Sequence, residues 1–103
     1  MKTKWKPIAM QGRRQIVDYI LKKFGEIAVK NFMLEIHDTI RLLKSNPYMS
    51  PIDPLFDDRA KTYRSILINR RSKMVYYIED DTIQIAGFWD CRRDPEAAAK
   101  EVK

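Results

Sequence analysis

Apolar and polar residues alternate with two different periods along the chain. Between residues 8 and 43 the apolar side chains recur every three or four positions, which predicts helices. Gly25 interrupts this region, and glycine is the residue that most often follows the end of a helix. The pattern therefore predicts a hairpin of two antiparallel helices joined at Gly25. The first has Pro7 in its opening turn, and the second ends before Asn46-Pro47.

From residue 62 the spacing becomes that of strands. The runs TYRSILIN, KMVYYIE and TIQIAGFW are rich in β-branched and aromatic residues. Residues 70–72 are expected to turn the first hairpin and Asp80-Asp81 the second, so the three strands form an antiparallel meander. Several strand positions are apolar on both sides. We therefore expect the helices to cover one face of the sheet and another segment to cover part of the other face.

The remaining segments complete an α+β fold. Residues 2–6 are expected to form a short edge strand, and residues 45–61, with three prolines and several apolar anchors, an ordered loop. Asp94 and Pro95 are typical of the N-cap and first position of a helix. The predicted architecture is a single domain over residues 1–103. An N-terminal strand and a helical hairpin pack on a small antiparallel sheet, with a short C-terminal helix.

Composition indicates a small globular protein. The chain has 103 residues, enough for one hydrophobic core. No stretch approaches the roughly 18 apolar residues of a membrane span, and the N-terminal residues do not form the apolar run of a signal peptide. The single cysteine cannot form an intrachain disulfide. We therefore expect a cytoplasmic location without membrane association.

Positive charge is concentrated in separate blocks. The net charge is +6, and residues 59–73 contain six basic side chains and no acidic one. Such a block attracts polyanions such as nucleic acid, phosphorylated substrates or acidic proteins, although a solvated basic surface explains many blocks of this kind. The six residues are Arg59, Lys61, Arg64, Arg70, Arg71 and Lys73.

Strong catalytic motifs are missing from the sequence. It contains no phosphate-binding glycine loop, no zinc-spaced set of cysteine and histidine, and no serine elbow. We expect neither a cofactor nor a metal. The one histidine, His37, is expected on a helix surface. Arg92 and Arg93 could lower the pKa of the neighbouring Cys91, but a lone cysteine is more often structural.

The meander brings separate cations to one end of the sheet. The first turn and the end of the last strand meet there, whereas Arg64 lies nearer the opposite end. Guanidinium groups bind phosphate in a bidentate manner and remain charged, so this end is a candidate phosphate- or target-binding site. The alternative is a set of surface cations balanced by nearby acids. The candidate residues are Arg70, Arg71, Lys73, Arg92 and Arg93.

Three stretches carry a resemblance to a known family: IVDYILKKFGEIAVKNF, NPYM, and YRSILINRRSKMVYYIEDDTIQIAGFWDCRRDP. Over roughly residues 3–96 the chain resembles the RelE/ParE superfamily of toxins from type II toxin–antitoxin systems. The resemblance implies a compact, growth-inhibiting toxin that is neutralised by a protein antitoxin from an adjacent gene. RelE-like members cleave mRNA on the ribosome with basic residues and a C-terminal tyrosine or histidine. ParE-like members poison DNA gyrase.

The two branches imply different roles for the basic residues. In a ribonuclease, Lys73 and Arg92 would match the basic positions near the V-Y pair and after the last strand. Arg64 would match the second-strand position approximately, and Arg93 completes the catalytic set. However, no tyrosine or histidine follows Arg93, and the RRDP ending is closer to ParE-like members. We therefore predict a ParE-like gyrase poison. The alternatives are a ribosome-dependent mRNA endoribonuclease and a non-toxic basic nucleic-acid-binding module.

Overall fold

The computed structural model describes residues 1–102 and has the predicted order of elements. None of the helices within this range is long and apolar enough to cross a membrane. Among these 102 residues, a 3-10 turn at Pro54–Phe56 is the one additional element. The elements are β1 (Lys2–Trp5), α1 (Pro7–Phe24), α2 (Glu26–Ser45), β2 (Arg64–Ile68), β3 (Ser72–Glu79), β4 (Thr82–Asp90) and α3 (Pro95–Glu101).

The sheet has the strand order β1-β4-β3-β2. Strands β2, β3 and β4 form the predicted antiparallel meander. Strand β1 is an edge strand, as expected, and pairs in parallel with β4, with Lys2 opposite Thr82 and Trp5 opposite Ile85. The sheet is therefore mixed. A parallel pair requires a long connection, and the helical hairpin with strands β2 and β3 supplies it between β1 and β4.

The helical hairpin forms as its sequence predicts. Pro7 is in the first turn of α1, where its missing N–H group costs no hydrogen bond. Gly25 ends α1 with a φ of 89°, a left-handed conformation that suits glycine, and α2 begins at the next residue. The Gly25 N–H donates to the carbonyl oxygens of Ile20 and Leu21 at 3.2 and 3.1 Å.

The two faces of the sheet bury different cores, which we call the helix face and the open face. On the helix face α1 and α2 pack against residues such as Met74, Tyr76 and Ile85. On the open face α3 and the 3-10 turn pack against Val75 and Trp89. The expectation that a second segment partly covers the other face is confirmed.

The first turn differs from its prediction by one residue. Its central residues are Asn69 and Arg70, with φ values of 54° and 56°, and the Arg71 N–H donates to the Ile68 carbonyl at 3.1 Å. Ser72 is buried and already belongs to β3, so placing the turn at residues 70–72 is wrong. Asparagine tolerates the left-handed conformation better than most residues, which explains the position. The second turn, Asp80-Asp81, is confirmed with φ values of 53° and 57°.

The proline-rich loop is fastened to the sheet by polar contacts. The Tyr76 hydroxyl donates to the Pro47 carbonyl at 2.9 Å and contacts the Ser50 hydroxyl. Arg64 donates to the Ser50 carbonyl at 2.7 Å. These bonds satisfy buried polar groups and explain why the loop is ordered without secondary structure over most of its length.

Candidate functional site

The first turn and the end of β4 adjoin at one end of the sheet, as predicted. Ser72 lies opposite Asp90, and the Cys91 N–H donates to the Arg71 carbonyl at 2.7 Å. The backbone therefore brings the two basic segments together. Their side chains, however, have different neighbours and do not form one cluster.

At this end of the sheet, the basic side chains are arranged around one carboxylate, that of Asp90. Arg92 donates to the Asp90 carboxylate through Nε and Nη2 at 3.1 and 3.0 Å, and its guanidinium lies 5.5 Å from the centroid of the Tyr19 ring. The hydrogen bonds from Arg92 lower the pKa of Asp90, and the charge of Arg71 adds to this effect. The contact with Asp90, and then that with Tyr19, raises the pKa of Arg92. Arg71 and Arg92 thus act on the same carboxylate.

Arg93 points away from Asp90 and toward α3. Its Nη1 donates to Oε2 of Glu101 at 3.0 Å. The hydrogen-bonded pair raises the pKa of Arg93 and lowers the pKa of Glu101. Both side chains are partly exposed, so the pair is a surface contact that holds α3 near the end of β4.

Lys73 projects onto the open face. Its Nζ lies 2.5 Å from Oδ2 of Asp53, whose side chain is only 4% exposed, and 5.7 Å from the centroid of the Trp89 ring. Burial by itself raises the pKa of Asp53. The contact with Lys73 and the hydrogen bond from the Leu55 amide outweigh this effect, so the pKa lies below its ordinary value. This environment favours a structural role for Lys73.

Arg64 lies on the opposite side of the sheet. It pairs with Tyr76 in the strand register and belongs to the helix face, whereas Lys73 belongs to the open face. Its guanidinium donates to the Ser50 carbonyl and lies 5.1 Å from the centroid of the Tyr48 ring. Arg64 and Lys73 therefore cannot contact the same phosphate group, and the set predicted for a ribonuclease is not assembled.

Two other cations of the basic block also make contacts within the chain. Arg59 donates to carbonyl oxygens at the C-terminal end of α3, reaching Ala99 at 2.8 Å and also Val102. Lys61 forms an ion pair with Glu79. Four of the six cations thus have structural partners, which leaves Arg70 and Arg71, both exposed at the first turn. We call Arg70, Arg71 and Arg92 the basic corner.

A groove of about 500 Å³ lies beside the basic corner, between the helical hairpin and the first turn. Its walls are mainly apolar, and Phe24 at the end of α1 is 58% exposed. The groove combines residues far apart in sequence, so periodicity alone does not reveal it. The feature of the sequence that points to this groove is Phe24, an aromatic residue directly before the Gly25 cap. The lining residues are Ile20, Phe24, Ala28, Asn31, Phe32, Glu35, Asn69 and Arg71.

Cys91 and His37 do not contribute to this site. Burial, followed by the charge of Asp90, raises the pKa of the Cys91 thiol. The proposal that Arg92 and Arg93 lower this pKa is therefore wrong, because both guanidiniums are directed to carboxylates. His37 is exposed on α2, as predicted, with Nδ1 3.7 Å from Asp38.

Two solved structures share the fold of this chain. A solved chain of the chromosomal ParDE system from P. aeruginosa is 16% identical and has a TM-score of 0.68, with 87% of this chain and 95% of that chain covered. The YoeB dimer from Staphylococcus aureus is 20% identical and has a TM-score of 0.57, with 84% and 92% covered. At these identities the two likenesses concern the fold. No curated protein sequence matches.

The family model described as "ParE toxin of type II toxin-antitoxin system, parDE" matches residues 3–95. This range runs from β1 to the start of α3 and includes the helical hairpin, the meander and the basic corner. A toxin of a type II system implies a cognate antitoxin as partner. The chain belongs to the ParE toxin family.

Proposed function

We propose that this protein inhibits growth by poisoning DNA gyrase and that the basic corner takes part in contacting the target. The observation that favours this target over ribosomal mRNA is the placement of Arg64 and Lys73. These residues lie on opposite faces of the sheet and are engaged by Ser50 and Asp53. A ribonuclease needs several groups around one phosphate, and proton transfer alone contributes about 10²–10⁴-fold. Gyrase poisoning requires no such constellation.

The antitoxin is proposed to occupy the groove beside the basic corner. An acidic, partly disordered segment that folds on binding would place apolar side chains against Phe24 and Phe32 and carboxylates near Arg70 and Arg71. Binding there would cover the apolar groove and neutralise the charge of the corner in one step. The partner to seek is a small acidic protein encoded beside the toxin gene.

Two measurements in parallel test the target. Induction without the antitoxin is expected to arrest growth and cause filamentation, and the purified protein should promote gyrase-mediated cleavage of DNA. Primer-extension mapping of transcripts from the same culture should show no new cuts on translating ribosomes. Rapid cleavage of mRNA without gyrase-dependent DNA cleavage would support the RelE-like alternative. Normal growth of cells that accumulate the folded protein would favour a non-toxic nucleic-acid-binding module.

A further inference from the structure

A second basic surface lies on the open face, away from the basic corner. The open-face core contains residues of β3, β4, α3 and the proline-rich loop but none of β1. At the β1 edge, Lys2 and Lys4 alternate along the strand and Lys6 follows it with the same spacing, while Trp5 packs into the helix-face core. The Nζ of Lys6 lies 5.7 Å from the centroid of the Tyr77 ring, which places this side chain on the open face.

Strand pairing extends this row across the sheet. Lys4 lies opposite Gln84, and Gln84 lies opposite Tyr77. Lys61 approaches Tyr77 from the other side, with Nζ 4.5 Å from the ring centroid. Lysine ammonium groups thus flank a floor formed by a nearly buried tyrosine and a glutamine. We call Lys2, Lys4, Lys6 and Lys61 the lysine tract.

The charge of the tract is only partly balanced. Lys61 pairs with Glu79, and Asp81 lies 3.9 Å from the amino terminus, near Lys2. Within residues 1–102, by contrast, no carboxylate forms an ion pair with Lys4 or Lys6. The excess positive charge is therefore centred on Lys4 and Lys6.

The buried oxygen Oε1 of Gln84 is also without a hydrogen-bond partner among the described residues. It lies in the strand position next to Lys4. The argument for an external ligand therefore rests on the unpaired ammonium groups of Lys4 and Lys6, with the polar side chain of Gln84 in the strand between Lys4 and Tyr77.

We propose that the lysine tract binds the phosphodiester backbone of a nucleic acid. Along β1 and the residue that follows it, Lys2 to Lys6 span about 13 Å at roughly 3.3 Å per residue, a length that corresponds to about four nucleotides of one strand at 3.4 Å each. A row of flexible ammonium groups along a sheet edge suits a regularly spaced polyanion without sequence preference. This inference does not depend on gyrase being the target.

Fluorescence anisotropy tests the proposal with two probes, a labelled mixed-sequence DNA duplex and a labelled single-stranded RNA. The variant is Lys4→Gln with Lys6→Gln, which removes two charges and leaves polar side chains at both positions. The matched control is Lys30→Gln with Lys44→Gln, which removes two exposed charges from α2 on the far side of the sheet. Thermal unfolding verifies that each protein in the assay is folded.

The tract variant is expected to bind about tenfold more weakly than the control at moderate salt. The slope of log affinity against log salt should fall by about two, as expected for the loss of two phosphate contacts. The probe that loses affinity identifies DNA, RNA or both as the ligand. Lys4→Arg with Lys6→Arg should retain binding, because it keeps the charge.

Equal binding by the tract variant and the control would overturn the proposal. So would displacement of the nucleic acid by polyglutamate at the same charge concentration, because the surface would then be a site for acidic protein. Neither result would bear on growth arrest or gyrase cleavage, since this assay contains no cells and no gyrase.

Discussion

Gly12 in α1 lies directly against the backbone of Phe88 in β4. A Cβ atom at residue 12 would stand 1.8 Å from the Phe88 carbonyl oxygen, so no side chain fits without moving the helix off the sheet. This contact sets the distance between α1 and β4, so the packing of the helix on the sheet is sensitive to one added methyl group at residue 12.

Gly12→Ala is expected to lower the free energy of unfolding by about 3 kcal/mol, because overpacking against backbone outweighs the roughly 1 kcal/mol gain in helix propensity. Urea denaturation measures the effect. The control is Gln11→Ala, an exposed neighbour in the same helix, which should change stability by less than about 0.5 kcal/mol. A Gly12→Ala protein at least as stable as the wild type would show that the helix can move without cost.

The ion pair of Lys73 and Asp53 is expected to be structural. Lys73→Met leaves the buried Asp53 carboxylate without its cation and should cost about 3 kcal/mol of stability. Lys61→Met is the matched control, because Lys61 is paired with Glu79 at an exposed site, where such pairs contribute about 0–1 kcal/mol. Chemical denaturation compares the two. Loss of toxicity without loss of stability in Lys73→Met would instead assign Lys73 to the target site.

The lowered pKa of Asp53 predicts the acid side of the stability profile. Because the folded-state pKa lies below the unfolded one, the stabilisation is complete above about pH 4 and is lost as the pH falls through the folded-state value. Asp53→Asn should be less stable than the wild type at pH 7, and the difference should shrink below about pH 4. Urea denaturation at a series of pH values measures it. A difference independent of pH would exclude ionisation of Asp53 as its source.

Toxicity is expected to depend on the arginine pair after β4. Arg92→Ala with Arg93→Ala should reduce growth arrest on induction at least about tenfold in the inducer response, because the proposed contact of Arg92 with the target and the neighbouring positive charge of Arg93 are lost. The fold should persist, since both side chains are outside the two cores. Lys30→Ala with Lys44→Ala removes the same charge from α2 and should remain toxic. Full toxicity of the arginine variant would remove the pair from the target site.

Antitoxin binding is expected to depend on Phe24. Phe24→Ser should weaken the complex at least about tenfold while leaving the free toxin active, because an aromatic anchor in the groove is lost. Ile27→Ser is the control: Ile27 is 77% exposed and does not line the groove. Co-purification with the acidic protein from the adjacent gene and rescue of growth measure the effect. Equal losses in the two variants would argue against the groove.

Local sequence signals predict most of the fold. Pro7, Gly25, the Asp80-Asp81 turn and the Asp94-Pro95 start of α3 all act through short-range conformational preferences, and the structure has each of them as expected. The parallel pairing of β1 is different. It joins residues about 80 positions apart, and no short-range pattern encodes it. The same holds for Gly12, which weakens a helix when considered alone and proves to be a contact point.

The candidate site is less predictable than the fold, for a physical reason. Topology correctly places the first turn beside the end of β4, because register follows from the meander. The direction of each long basic side chain depends on which carboxylate or carbonyl oxygen lies within its reach in the folded chain. Asp53 pairs with Lys73 and Glu101 pairs with Arg93, so topology alone overstates the size of the cluster. The lysine tract is not apparent from the sequence, because Lys6 and Lys61 are far apart in the chain and come together only at the Tyr77 ring.

The parallel pairing of β1 with β4 has a consequence for the order in which the molecule matures. The first strand has no partner until Thr82–Asp90 has been synthesised, so the sheet closes only when the chain is nearly complete. Contacts of such long sequence separation form late and slowly. The complete four-stranded sheet, and with it the edge that β1 forms, therefore exists only in a chain that has been synthesised at least as far as Ile85.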